Sequence, residues 1–150
     1  PIEELLKYLV LRRGIYGTNK FKTIHDGIFL GLIIGLGFGT IENTLLAFQD
    51  VGLGVIVARA LTATLLHAVT GGIIGFYLGL ASKDKTKVRN LSFQGILLAS
   101  LFHGIYNLLV VLEVQTSLLL TAGLLIIAYI FLFIGVSELT KMQNEFEKSS

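Results

Sequence analysis

Cysteine and tryptophan are absent, and the single proline is residue 1. The lack of thiols excludes a cysteine nucleophile, a disulfide framework and a cysteine-rich zinc site. With no proline after position 1, no apolar run contains the residue that most reliably breaks a helix. Charge is sparse as well: 15% of residues are charged and the net charge is +2, too little to point to nucleic acid as a partner. What fills the chain instead is apolar surface, 53% of residues, more than an ordinary soluble domain carries. The composition predicts a membrane protein. A length of 150 residues predicts one compact helix bundle, with residues 1–150 as a single domain. The chain opens on Pro1 rather than Met, and its first apolar run is short. Both features predict a domain trimmed at its N-terminus.

A helix needs about 20 apolar residues to cross a bilayer. Four segments qualify: 27–48, 60–82, 93–112 and 114–137. Residues 2–11 are too few to span and carry Glu3, Glu4 and Lys7. They predict a partial N-terminal helix, either the inner half of a span or an amphipathic helix at the interface. The predicted fold class is therefore all-α, a polytopic transmembrane bundle of four full spans plus that partial helix. Basic residues cluster in two connections, Arg12, Arg13, Lys20 and Lys22 in loop 12–26, and Lys83, Lys85, Lys87 and Arg89 in loop 83–92. The positive-inside rule puts both loops, and with them the C-terminal tail, in the cytoplasm. The lipid bilayer is thus an expected partner, and the basic loops are expected to touch anionic headgroups.

Within these apolar segments lie Glu42, Asn43, His67, His103 and Asn107. A charged or strongly polar side chain at membrane depth is costly unless it faces protein or water, so each is a functional candidate. At ~1.5 Å of rise per residue, Glu42, His67 and Asn107 fall roughly 22–24 Å from the basic side, His103 roughly 16 Å and Glu3 roughly 13 Å. Glycines at 27, 31, 35 and 39, and again at 71, 75 and 79, predict helix faces that approach closely in lipid. Glu42 and His67 share the turn spacing of those faces, which turns them into the bundle. His103 and Asn107 are four apart and share a face. Bland alternatives exist for each. Glu3 and Lys7 can form a solvated i, i+4 pair, Glu42 can pair with Arg59 near the interface, and His67 can simply hydrogen-bond a neighbouring helix. Tyr106 reads as packing and His25 as ordinary surface.

Several hydrolytic chemistries are missing. Ser100 precedes His103 by three residues but has no Gly-x-Ser-x-Gly turn around it. There is no His-Glu-x-x-His. Asp26, Asp50 and Asp84 all sit in loops or at span ends, which leaves no intramembrane aspartate pair. Glu and His remain. A carboxylate can act as general base on water, a histidine can share the proton work, and Asn107 can donate to an oxyanion. The same residues also suit a proton- or ion-coupled transporter or binding protein, which predicts broken helices or inverted repeats.

The order Glu3-Glu4-x-x-Lys7, Phe38-x-x-x-Glu42-Asn43, His67 and His103-x-x-x-Asn107 resembles the PrsW family of glutamic-type intramembrane proteases. That family is a branch of the superfamily of CAAX-processing and bacteriocin-related membrane proteins. The resemblance implies a membrane-embedded endopeptidase. Its substrate would be a membrane-anchored protein, as in site-1 cleavage of an anti-sigma factor outside the membrane. It implies that Glu3, in the Glu3-Glu4 pair, activates water, and that Glu42 stands where the CAAX branch has its partner histidine. It further implies that His67 is the third motif and that His103 and Asn107 form the oxyanion pair, with Lys7 and Asn43 in support. Metal dependence stays open between no cofactor and Zn²⁺ held by Glu3, Glu42, His67 and His103.

Overall fold

The computed structural model describes residues 2–49, 52–111 and 117–149. Among them the chain forms five α-helices and one short 3-10 turn: α1 Ile2–Gly14, α2 Ile24–Ala47, α3 Leu53–Lys83, the turn Lys85–Lys87, α4 Val88–Val111 and α5 Ser117–Ser149. No strand occurs among the described residues. Three helical stretches are long and apolar enough to cross a bilayer: Ile24–Ala47, Leu53–Lys83 and Lys85–Val111. The apolar part of α5, Leu119–Gly135, is shorter than these. The expected fourth span begins at Val114, and the turn at Glu113 precedes it; both lie outside the described residues.

Two boundaries differ from the sequence expectation. Helix α3 begins at Leu53 rather than Ala60, so Arg59 lies inside a helix instead of in a loop. The reason is local neutralisation: Arg59 Nη2 donates to Glu42 Oε1 at 2.7 Å. At the other end, the basic connection contracts to the short turn before α4, so Arg89 also becomes helical.

Helix α3 is the centre of the bundle and touches the other four helices. Its seam with α2 is built on glycine. A Cβ at Gly27 would overlap the Gly75 carbonyl, one at Gly31 the Gly71 carbonyl, and one at Gly35 the His67 carbonyl. Such backbone-to-backbone contact is how helices associate in lipid, where there is no hydrophobic drive between them. The seam fixes the register of the two helices and runs directly into His67.

The basic ends are tied together. The turn after α1 uses Gly17 at φ +82°, and Tyr16 Oη donates to the Ala81 carbonyl at 3.2 Å. Helix α2 then starts with a capping box, Asp26 N to Thr23 Oγ1 at 3.1 Å and Thr23 N to Asp26 Oδ2 at 2.8 Å. The first and third connections therefore share one end of the bundle. Large apolar side chains such as Phe29, Ile33, Leu65, Leu97 and Ile126 point outward, as a lipid-facing surface requires.

Candidate functional site

Helix α1 is inverted relative to a soluble amphipathic helix. Glu4, Lys7 and Leu11 are buried, while Ile2, Leu5, Leu6 and Val10 are exposed. The spacing 4, 7, 11 marks one helical stripe, so the charges face the bundle and the apolar side chains face outward. Helix α4 presents a stripe of Ser92, Gly95, Ala99, His103 and Tyr106. Its small members let α4 pack close: a Cβ on Gly95 would come within 2.9 Å of Tyr77 Cβ. His103 is carried inward on that stripe.

The polar residues of α1, α2, α3 and α4 meet in one cluster. Its inner part is fully buried. Glu4 Oε1 accepts from Lys7 Nζ at 2.7 Å and lies 2.7 Å from His103 Nδ1. Lys7 Nζ also donates to Thr70 Oγ1 at 2.8 Å, and stands 6.0 Å from the centre of the Phe38 ring. The outer part is more open. Glu42 Oε2 lies 2.8 Å from His67 Nε2, while its other oxygen takes Arg59. Between the two parts, Glu3 Oε2 is 3.6 Å from His103 Nε2 and 3.9 Å from His67 Nε2. The two imidazoles stack edge to face with centroids 4.7 Å apart.

One ligand-type atom each from Glu3, His67 and His103 falls within 4.8 Å of the others. Glu3 Oε2 is buried without a hydrogen-bond partner. The chemistry of this donor set suits a divalent ion: one carboxylate and two imidazoles is the protein donor set of a catalytic zinc site. The contact of His103 Nδ1 with Glu4 strengthens the fit. A carboxylate that takes the Nδ1 proton leaves the Nε2 lone pair facing Glu3 and His67, the usual outer support of a metal-binding histidine.

Of the residues expected from sequence, Glu3, Glu4, Lys7, Glu42, His67 and His103 converge. Glu4 pairs with Lys7, where the bland alternative had Glu3 doing so. Asn43 lies beside the cluster, and its amide donates to Thr64 Oγ1 at 2.8 Å. Asn107 is exposed. At 100° per residue it sits about 80° from the mean of the buried α4 stripe, although it is one turn from His103. Tyr106 is buried and its hydroxyl lies 3.0 Å from Thr62 Oγ1, so it packs as expected and also makes a hydrogen bond. Two participants are not marked by the sequence pattern. Arg59 reads there only as a possible ion-pair partner, yet Glu42 bridges it to His67. Thr70 carries no signal of its own, because threonine is unremarkable in an apolar helix. Only its position, three residues after His67 on the same face, points to it.

Comparison with known proteins identifies the family. A family model described as PrsW family intramembrane metalloprotease matches residues 1–136. Curated relatives named Protease PrsW include one from Bacillus subtilis, 40% identical over 71% of this chain and 49% of its own length. Another, from Geobacillus kaustophilus, is 34% identical over 71% of this chain and 47% of its own. A third, from Oceanobacillus iheyensis, is 34% identical over 88% of this chain and 61% of its own. The chain thus spans about half the length of the curated relatives it matches. No solved structure matches it. With a family match across nearly its whole length and the motif residues of four helices gathered at one point, the chain belongs to the PrsW family of intramembrane metalloproteases.

Proposed function

We propose that this chain is the core of a membrane-embedded endopeptidase that cuts a membrane-anchored protein, with Glu3, His67 and His103 holding a zinc ion. The observation that carries the reading is the convergence of three ligand-type atoms within 4.8 Å, one of them a buried carboxylate oxygen with no partner. A zinc ion bound there supplies Lewis acidity and makes a water nucleophilic at neutral pH. Everything else falls to the chain's own side chains. Glu4 holds His103 in the tautomer that leaves Nε2 free. Glu42 is the general base. A ring nitrogen has either one proton or one lone pair to offer. With Nε2 offered to a metal, His67 would carry its proton on Nδ1, and Glu42 Oε2 would be free to accept a proton from water and return it to the leaving amine. Arg59 orients Glu42 through Oε1. The lipid-facing shell limits bulk water around these groups.

Orientation follows from charge. Loops 12–26 and 83–92 share one end and carry the basic residues, so that end and the C-terminal tail are cytoplasmic. Glu42 then sits toward the outer face, where an anti-sigma-type substrate would present its cleavage segment. Asn107, exposed one turn beyond His103, is available to contact substrate. The transporter reading gains no support, because α2, α3 and α4 run unbroken.

The test uses the full-length protein in nanodiscs with a single-span reporter substrate. Glu3→Gln, Glu42→Gln and His103→Ala should each abolish or nearly abolish cleavage while size-exclusion and circular dichroism profiles stay native. Wild-type cleavage by all three would end this reading.

A further inference from the structure

Thr70 is fully buried on α3. A threonine hydroxyl has one proton and two lone pairs. Here one lone pair takes Lys7 Nζ at 2.8 Å, and the proton lies toward the His67 main-chain carbonyl at 3.1 Å, with Glu4 Oε1 at 3.4 Å as the alternative acceptor. Lys7 in turn spends its three N–H groups on Thr70, on Glu4 Oε1 at 2.7 Å and on the same His67 carbonyl at 3.5 Å. Glu4 Oε1 then reaches His103 Nδ1 at 2.7 Å. Other threonines in the spans, Thr40, Thr44 and Thr62, bond back to the carbonyl four residues earlier. That is the ordinary habit of the residue in a helix. Thr70 also receives an ammonium from another helix, and through it both histidines are reached: His67 by its carbonyl, His103 by way of Lys7 and Glu4.

We propose that Thr70 is a positioning residue for the metal site, fixing the tautomer of His103 through Lys7 and Glu4. Without the hydroxyl, one buried N–H of Lys7 loses its acceptor, an expensive loss in a low-dielectric interior. The ammonium then shifts toward the remaining acceptors and draws Glu4 away from Nδ1. His103 is released to exchange tautomers, and part of the population carries its proton on Nε2, where a metal needs a lone pair. The inference rests on the zinc-site reading above, but part of its test does not depend on that reading.

The experiment measures two quantities on the full-length protein: the His103 tautomer by ring ¹⁵N shifts in zinc-free samples, and zinc affinity by chelator competition. Wild type should show the Nδ1–H tautomer alone. Thr70→Val should mix the tautomers and weaken zinc about 10- to 100-fold, the usual cost of losing outer support. Thr70→Ser should restore both values. Thr70→Ala serves if the valine variant does not fold. A variant that loses thermal stability but keeps the single tautomer and full zinc affinity overturns the proposal. So does a wild-type His103 that already mixes tautomers, which needs no variant. A wild type that binds no zinc defeats the metal reading instead, while the tautomer measurement still decides the role of Thr70.

Discussion

Two carboxylates adjacent in sequence occupy opposite halves of the cluster. Glu4 belongs to a closed floor: it is fully buried, its Oε1 shared by Lys7 and His103. Glu3 belongs to a rim with Glu42 and Arg59. Its side chain is 44% exposed, and its Oε2 faces both imidazoles without a hydrogen bond. The floor has the features of a support, in which charges are matched and motion would break several bonds at once. The rim has the features of a more open edge, with Glu3 Oε2 unpartnered and the Glu3 and Glu42 side chains partly exposed. A doubled glutamate on one helix turn thus delivers two different services, because consecutive residues point about 100° apart. The lesson is that burial and exposure, rather than residue type, distinguish the two carboxylates.

This contrast can be broken at either half. Glu42→Gln keeps the shape of the rim and removes its base. Cleavage should fall about 10²- to 10⁴-fold, the usual contribution of a general base, while zinc affinity changes little; a rate within twofold of wild type would place the base elsewhere. On the floor, Lys7→Met leaves Glu4 buried without its cation. Breaking a buried pair from one side costs about 3–5 kcal/mol, to be read from denaturation in mixed micelles. The double variant Lys7→Met/Glu4→Gln should recover most of that loss, since no unmatched charge remains. Failure to recover would mean that the floor is held by shape rather than charge. Arg59→Gln returns the comparison to the rim, where the Glu42 carboxylate is 39% exposed. Arg59 is only 18% exposed, so the pair is part-buried and the loss should exceed the about 0–1 kcal/mol of a fully exposed pair, while cleavage drops as Glu42 loses its orientation. Smallest of all, Asn107→Ala should change stability by less than about 0.5 kcal/mol, as exposed substitutions do. A large fall in cleavage with unchanged stability would show that Asn107 meets substrate, and no fall would remove it from the oxyanion role.

Much of this was legible in the chain. Cost at membrane depth marked Glu42, His67 and His103, and glycine spacing turned the first two inward. Depth counting put Glu3 and His103 within a few ångströms of one another, and they do meet. The division of labour between Glu3 and Glu4 was not legible, because it depends on the rotation of α1 against α3 and α4, a tertiary quantity. Asn107 shows the limit of periodicity: four residues from His103 is the same face by rule, but a stripe of finite width leaves it outside. The start of α3 was misplaced because Arg59 reads as a loop residue until its partner on α2 is known. Thr70 carried no charge to signal it, and only the arrival of Lys7 from another helix gives its hydroxyl a task.

The inverted character of α1 has a consequence for biogenesis. A segment whose charges need Thr70, His67 and His103 as partners has no comfortable place in lipid by itself. Its docking must follow, or coincide with, the assembly of α3 and α4. Because Glu3 arrives on that same segment, the proposed donor set of Glu3, His67 and His103 is complete only once α1 is seated. On the proposed reading, hydrolysis would therefore await the closure of the whole bundle.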